Sequence, residues 1–185
     1  MLSDAQIERW SRQILLPDVG GRGQELLLAA RVVLGGSGAI AGVAGDLLAR
    51  AGVSVTGATA PGEANAVVDL DADVTASAAL ARRAVSAEVP LVRGRLAGAA
   101  GWVYTLVGRP CGLCVAEDPG VVVRAAGPLA APAAQALAAL VAAEVLAALL
   151  AARPGGRVQR FDLASGDCGG ATLDATGCGL CGGRA

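Results

Sequence analysis

"RVVLGGSGAIAGVAGDLLARAGV", residues 31–53, passes from a short β-branched run through a glycine turn into a helical pattern that closes at Gly52. Strand, tight turn and helix in that order open a doubly wound α/β fold. Inside the stretch, Gly36-Ser37-Gly38-Ala39-Ile40-Ala41 makes a G-x-G-x-x-A turn. The first glycine permits the tight turn and the second lets a phosphate approach the backbone, while the helix N-terminus offers free N–H donors. Gly36, Gly38 and Ala41 are therefore the candidate nucleotide contacts. The same turn also packs helix on strand where no nucleotide binds, so the following strand has to discriminate.

A ribose-binding carboxylate belongs about 20 residues further on. In "TGATAPGEAN", 56–65, that place is taken by Gly57, Ala58 and Ala60, and Glu63 follows a few residues late. Glu63 reaches the sugar only if its loop bends back; otherwise it is a solvated turn residue.

Outward from this core, residues 3–16 read as an amphipathic helix with Ser3 or Asp4 as cap and Gln6 placed for a capping box. Pro17 and "VGGRG" predict a break, and a second helix is expected over 24–30. Strands are expected at 32–34, 53–59, 66–70, 90–94 and 102–107, with a crossover helix in "ASAALARRAVSAE", 76–88. "WVYTLV" and "RVQRFDL" alternate without a helix beside them, which predicts a partly antiparallel later half. The fold class is therefore a Rossmann-like, doubly wound, mostly parallel sheet in a single domain over 1–185. Its N-terminal helix and nucleotide-type half span 1–94 and its C-terminal half 95–185.

Composition narrows the function. All 15 basic residues are arginine, the net charge is −1 and only 2% of residues are aromatic. Such a chain has neither the basic surface nor the stacking platforms of a dedicated nucleic-acid binder. The N-terminus lacks a signal-peptide pattern, so a cytoplasmic location is expected. "AAQALAALVAAEVLAALLAA", 133–152, is apolar for about the length of a membrane span. Its alanine content, with Gln135 and Glu144 inside and Arg153 and Pro154 after it, predicts a core helix and no membrane span.

"PCGLC" at 110–114 and "GCGLC" at 177–181 repeat one tetrapeptide. Two C-x-x-C knuckles supply four thiolates for one tetrahedral zinc, here Cys111, Cys114, Cys178 and Cys181. The 63 residues between the knuckles make the site a staple for the C-terminal tail rather than a separate finger. A pair of disulfides or a redox C-x-x-C are the alternatives. Cys168 is left over as a spare thiol, since the chain has no histidine to activate it.

These pieces resemble the ThiF/MoeB/HesA family, relatives of ubiquitin-activating enzymes. Residues 8–53 match its opening block, and "VPLVRG", "GWVYTL", "PCGLC", "RVQRFDL" and "GCGLC" follow in the family's order. The resemblance implies an ATP-dependent enzyme that adenylates the C-terminal glycine of a ubiquitin-like sulfur carrier from within a dimer. It also implies that Arg12, in "SRQ", acts in the partner subunit's nucleotide site.

Several family positions differ. Its G-x-G-G-x-G turn has Ala39 and Ala41 here, its paired aspartates fall on Ala60 and Gly62, and its segment with S-N-L-x-R-Q and a lysine is absent. The family's magnesium-holding aspartate falls on Ala72, between Asp71 and Asp73, either of which a one-residue shift would bring to the metal. Loss of oriented cations is costly in phosphoryl chemistry. The sequence therefore predicts weak or no binding of ATP and magnesium, and a shortened, catalytically impaired member serving as a zinc-containing binding or partner subunit. It would form a homodimer or pair with a full-length relative. The alternatives are an active adenylyltransferase whose site is rebuilt from Glu63, Asp71, Asp73 and a partner's Arg12, and a purely structural dimer.

Overall fold

The structure is a computed structural model and describes residues 1–60, 62–115, 127–151, 155–173, 178, 180 and 181. One sheet runs through both halves of the chain. In chain order its strands are β1 (Arg31–Gly35), β2 (Ser54–Gly57), β3 (Ala66–Asp69), β4 (Leu91–Ala97), β5 (Ala100–Leu106), β6 (Arg157–Asp162) and β7 (Asp167–Thr172). The spatial order is β2-β1-β3-β4-β5-β6-β7. β2, β1, β3 and β4 pair in parallel, whereas β4 to β7 pair as antiparallel neighbours.

The helices are α1 (Asp4–Ile14), α2 (Gly20–Ala29), α3 (Gly38–Arg50), α4 (Val74–Ser86) and α5 (Ala130–Leu149). On one sheet face Leu27 of α2, Leu48 of α3 and Leu137, Val141 and Val145 of α5 bury against Val32, Val68, Val92 and Val103. On the other, Leu80, Ala81 and Ala84 of α4 meet Val33, Val67 and Leu91. Covering on both faces explains why the parallel strands read as continuous apolar runs.

The helix expected over 133–152 runs from Ala130 to Leu149; residues 152–154 lie outside the described ones. By length and composition it could cross a membrane, yet it lies on the sheet with Ala133, Leu137, Ala138, Val141, Ala142 and Val145 buried. Its one carboxylate, Glu144, is fully buried and accepts hydrogen bonds from Thr105 Oγ1 at 2.6 Å, Gln159 Nε2 at 3.0 Å and Arg157. That set ties α5 to β5 and β6.

Two expectations are corrected. The break between the first two helices falls at residues 15–19, and α2 starts at Gly20, where φ is +61°, rather than at Gln24, so "GGRG" forms its first turn. Gly23 sits inside the helix because a Cβ there would lie 3.1 Å from Leu150 Cδ2, so its role is close packing on the end of α5. The other is β7, absent from the sequence reading. It follows a tight turn in which Gly166 takes φ +80° and donates its N–H to Asp162 O at 2.8 Å. Every residue of this glycine-rich edge strand is exposed, so it carries no hydrophobic alternation.

α1 keeps the expected cap: Gln6 N–H donates to Ser3 Oγ, and Ser3 N–H to Gln6 Oε1 at 2.9 Å. None of its residues is buried, and Leu15 and Leu16 are exposed beyond its end. A kink at Trp10 brings the indole Nε1–H to Arg50 O at 3.1 Å.

Candidate functional site

The glycine turn sits at the carboxyl end of β1, where ligands of doubly wound sheets bind. Gly36 has φ +110°, and a Cβ on it would lie 2.7 Å from the backbone C and O of Leu70. Only glycine lets β1 turn this close to the end of β3. Gly38, with φ +82°, has nothing within 4 Å of a notional Cβ, so the approach to the start of α3 is open. Ser37, the N-cap, makes no side-chain capping bond, which leaves the first-turn N–H groups of α3 free for a ligand.

A cleft of about 470 Å³ extends from this turn along α3 and the edge strand β2, lined by Gly36, Ser37, Gly38, Ala41, Asp46 and Gly57 among others. Ala41 is buried and Ala39 exposed. Replacing Gly36 by alanine is expected to cost about 2 kcal/mol, from strain plus the clash with Leu70. Denaturant titration of the two proteins measures it.

Glu63 is exposed and does not line the cleft. The loop before it is held by α4: Arg83 donates to the carbonyls of Ala58, Ala60 and Gly62 at 2.8, 3.0 and 3.1 Å. Asp71 and Asp73 follow Leu70, whose backbone meets Gly36, and neither lines the cleft. Asp73 caps α4, accepting from Ala76 N–H at 2.8 Å, and Asp71 Oδ1 accepts from Asp73 N–H at 3.0 Å. Arg12 is exposed and lines a separate recess of about 520 Å³ with Arg9, Trp10 and Arg50.

Beneath the Asp71 turn lies a polar cluster that no sequence motif marks. Asp69, 0% exposed, accepts from Arg93 Nε at 2.7 Å, Arg95 Nη2 at 3.2 Å and Ser77 Oγ at 2.6 Å. Burial pushes its carboxyl pKa up, but the Ser77 hydrogen bond and the Arg95 and Arg93 charges outweigh that and hold it below the usual value. The one available signal was "VRGR", two arginines inside an otherwise apolar strand.

The four cysteines of the two knuckles converge, all Sγ atoms lying within 4.8 Å of one another. Cys111 to Cys114 is 3.7 Å, Cys111 to Cys178 is 3.8 Å and Cys114 to Cys181 is 3.5 Å. Four sulfurs around a cation at about 2.3 Å stand about 3.8 Å apart, so the set fits a tetrahedral zinc. All four are free thiols rather than disulfides, and Cys168 is a free, exposed thiol on β7. Backbone N–H groups of Cys181 and Leu180 stabilise the Cys178 thiolate and bring its pKa down to about 6, whereas burial pushes Cys114 up to about 12. Thiols this close do not all ionise unless a cation joins them.

No family model matches the chain, and no curated protein matches it. Solved structures share its fold. Escherichia coli MccB with ATP superposes with a TM-score of 0.72 over 94% of this chain and 74% of MccB, at 16% identity. MccB with AMPCPP and MccA gives 0.72 over 98% of this chain and 75% of MccB, at 14% identity. PaaA gives 0.69 over 94% of this chain and 85% of its own length, also at 14% identity. MccB is a microcin C7 biosynthetic enzyme.

One expectation falls here. Weak or absent binding of ATP and magnesium was inferred from missing side chains, but the same fold holds ATP and AMPCPP in the MccB structures. The physical reason lies in the turn. Phosphates are held largely by backbone N–H groups and a helix N-terminus, and Gly36, Gly38 and α3 retain both.

Proposed function

We propose that this chain is an ATP-dependent adenylyl-transfer enzyme of the ThiF/MoeB/HesA type that activates the C-terminal carboxylate of a small carrier protein or peptide. The observation that carries this reading is the open glycine-turn cleft on a fold that in MccB accommodates ATP and AMPCPP, the latter together with MccA. With nucleotide binding supported in this way, the reading as an impaired partner subunit loses its main argument.

In this proposal the residues divide the work. The Gly36–Gly38 backbone and the first turn of α3 cradle phosphates, with Ala41 closing the cleft floor. Asp71 and Asp73, each using Oδ1 to order the turn, present carboxylate to magnesium. Glu63 is the carboxylate this reading assigns to the ribose, which it meets only if the carbonyls of Ala58, Ala60 and Gly62 leave Arg83. Cys111, Cys114, Cys178 and Cys181 hold a structural zinc, which supplies no chemistry but fixes the tail.

Adenylyl transfer joins a carboxylate oxygen to the α-phosphorus and releases pyrophosphate. The cations that stabilise that charge include Arg12 of a second copy. Exposed Ile7, Leu15, Leu16 and Leu26 on and beside α1 and α2 give that copy an apolar surface to bury. A full-length relative is the other partner this surface fits, and the protein acts in the cytoplasm.

ATP–pyrophosphate exchange with carrier peptides ending in Gly-Gly tests the proposal. Magnesium- and peptide-dependent exchange is expected; none with any such peptide, nor with a full-length relative added, overturns it. Arg12→Ala is expected to lower exchange about 100-fold without changing the fold or the dimer. Mixing Arg12→Ala chains with Asp71→Ala chains should restore part of the activity, which an arginine acting within its own subunit cannot do.

A further inference from the structure

The buried cluster has a connection that neither the cleft nor the thiols require alone. Arg93 is 1% exposed and its guanidinium faces two ways. Nε donates to Asp69 Oδ2 at 2.7 Å and Nη1 to Gly112 O at 2.7 Å. Gly112 lies between Cys111 and Cys114, in the knuckle turn closed by Cys114 N–H on Cys111 O at 2.9 Å. A Cβ on Gly112 would stand 3.1 Å from Arg93 Nη2 and 2.8 Å from Ala81 Cβ, so the knuckle backbone rests directly on the arginine and on α4.

On its other side Asp69 holds the turn that faces the glycine loop. Its Oδ1 accepts from Asp71 N–H at 3.1 Å, and Asp71 Oδ1 in turn accepts from Asp73 N–H. A continuous path of hydrogen bonds therefore runs from the Gly112 carbonyl through Arg93 and Asp69 to Asp71. Each shared member is a planar fork or a carboxylate, groups that transmit orientation because they bond in two fixed directions.

We infer that Arg93 is a positioning residue: it sets the Asp71–Asp73 turn according to the state of the four-thiol cluster, so that loss of the metal loosens the turn that carries these two carboxylates. The consequence for magnesium rests on the adenylyl-transfer reading above; the mechanical link does not. Lysine keeps the charge but lacks the fork, and so cannot bond Asp69 and Gly112 in the same way.

Hydrogen exchange followed by mass spectrometry on the whole chain, zinc-loaded, then stripped by chelator and reloaded, reads the link without any nucleotide. Amides of residues 70–76 are expected to exchange about tenfold faster when zinc is removed and to recover on reloading, read at labelling times short enough that β1 and β2, which open only with the whole fold, remain unexchanged in both states. Zinc-loaded Arg93→Lys should show that acceleration already, with stripping adding less than about a twofold change, the non-additivity of two lesions in one path. In the same variant the magnesium concentration for half-maximal ATP–pyrophosphate exchange should rise at least about fivefold.

Residues 70–76 that ignore zinc, a loss of protection spread over all segments at those short labelling times, or zinc and Arg93→Lys effects that multiply independently would each overturn the inference. The stripped and reloaded wild type supplies the first two outcomes even if Arg93→Lys does not fold. Amides that respond in a protein showing no exchange activity with any carrier would leave the link standing and remove the adenylyl-transfer reading instead.

Discussion

Asp69→Ala is expected to destabilise the protein by about 3–5 kcal/mol, because it leaves Arg93 and Arg95 without their shared buried carboxylate. Arg93, 1% exposed, gains no water by losing Asp69, while Arg95, part-buried, keeps its bond from Nη2 to Ser77 Oγ at 2.9 Å. Denaturant titration at neutral pH measures the cost. Its pH dependence follows from the lowered carboxyl pKa. The unfolded chain takes up its proton near the ordinary value of 3.8, the native chain only at lower pH. The contribution is therefore full above that value and is lost as pH falls through the native pKa. The gap between wild type and Asp69→Ala should narrow below about pH 4. A gap that stays constant down to pH 2, or one below about 1 kcal/mol at neutral pH, would show that the cluster is solvated.

Removing the metal from the four thiols is the other large effect. Structural zinc in small domains contributes on the order of 10 kcal/mol of apparent binding energy. Here part of the fold stands without it, so stripping zinc or introducing Cys178→Ser is expected to cost at least about 4 kcal/mol. For a domain of this length that lowers Tm by about 8–16 °C. Metal analysis of protein purified without chelator should find one zinc per chain. Absence of zinc, or an unchanged Tm after chelation, would refute the metal assignment. The Cys178→Ser arm also tests the geometry, since Cys178 Sγ lies 3.8 Å from Cys111 on the other knuckle and its loss should free the tail.

The local parts of this molecule were legible because their causes are local. β1, the glycine turn and α3 depend on a β-branched run, two glycines at positive φ and a closing Gly52, all within 23 residues. The Ser3–Gln6 capping box is a four-residue device and appears as expected. The thiol cluster was readable for a related reason: C-x-x-C spacing already brings two sulfurs together, and the repeated tetrapeptide pairs one knuckle with the other. Gly23 and β7 escaped because their warrants are distant. Gly23 answers to Leu150 on α5, and β7 exists through its pairing with β6 rather than through any pattern of its own.

The amino-acid sequence by itself determined the doubly wound opening, the phosphate-type turn and the two C-x-x-C knuckles, each set by residues a few positions apart. Only the tertiary structure decided what joins them. Asp69 and Arg93 are 24 residues apart and meet because β3 and β4 pair with those two Cα positions in register. A slip of β4 by one residue would send Arg93 to the face opposite Asp69, since successive residues of a strand alternate. The Gly112 carbonyl reaches Arg93 only because the knuckle packs against α4 and β4. Burial of the charges follows from that register and packing, and so does their energy: in water Asp69 and Arg93 would be an ordinary acid and an ordinary base.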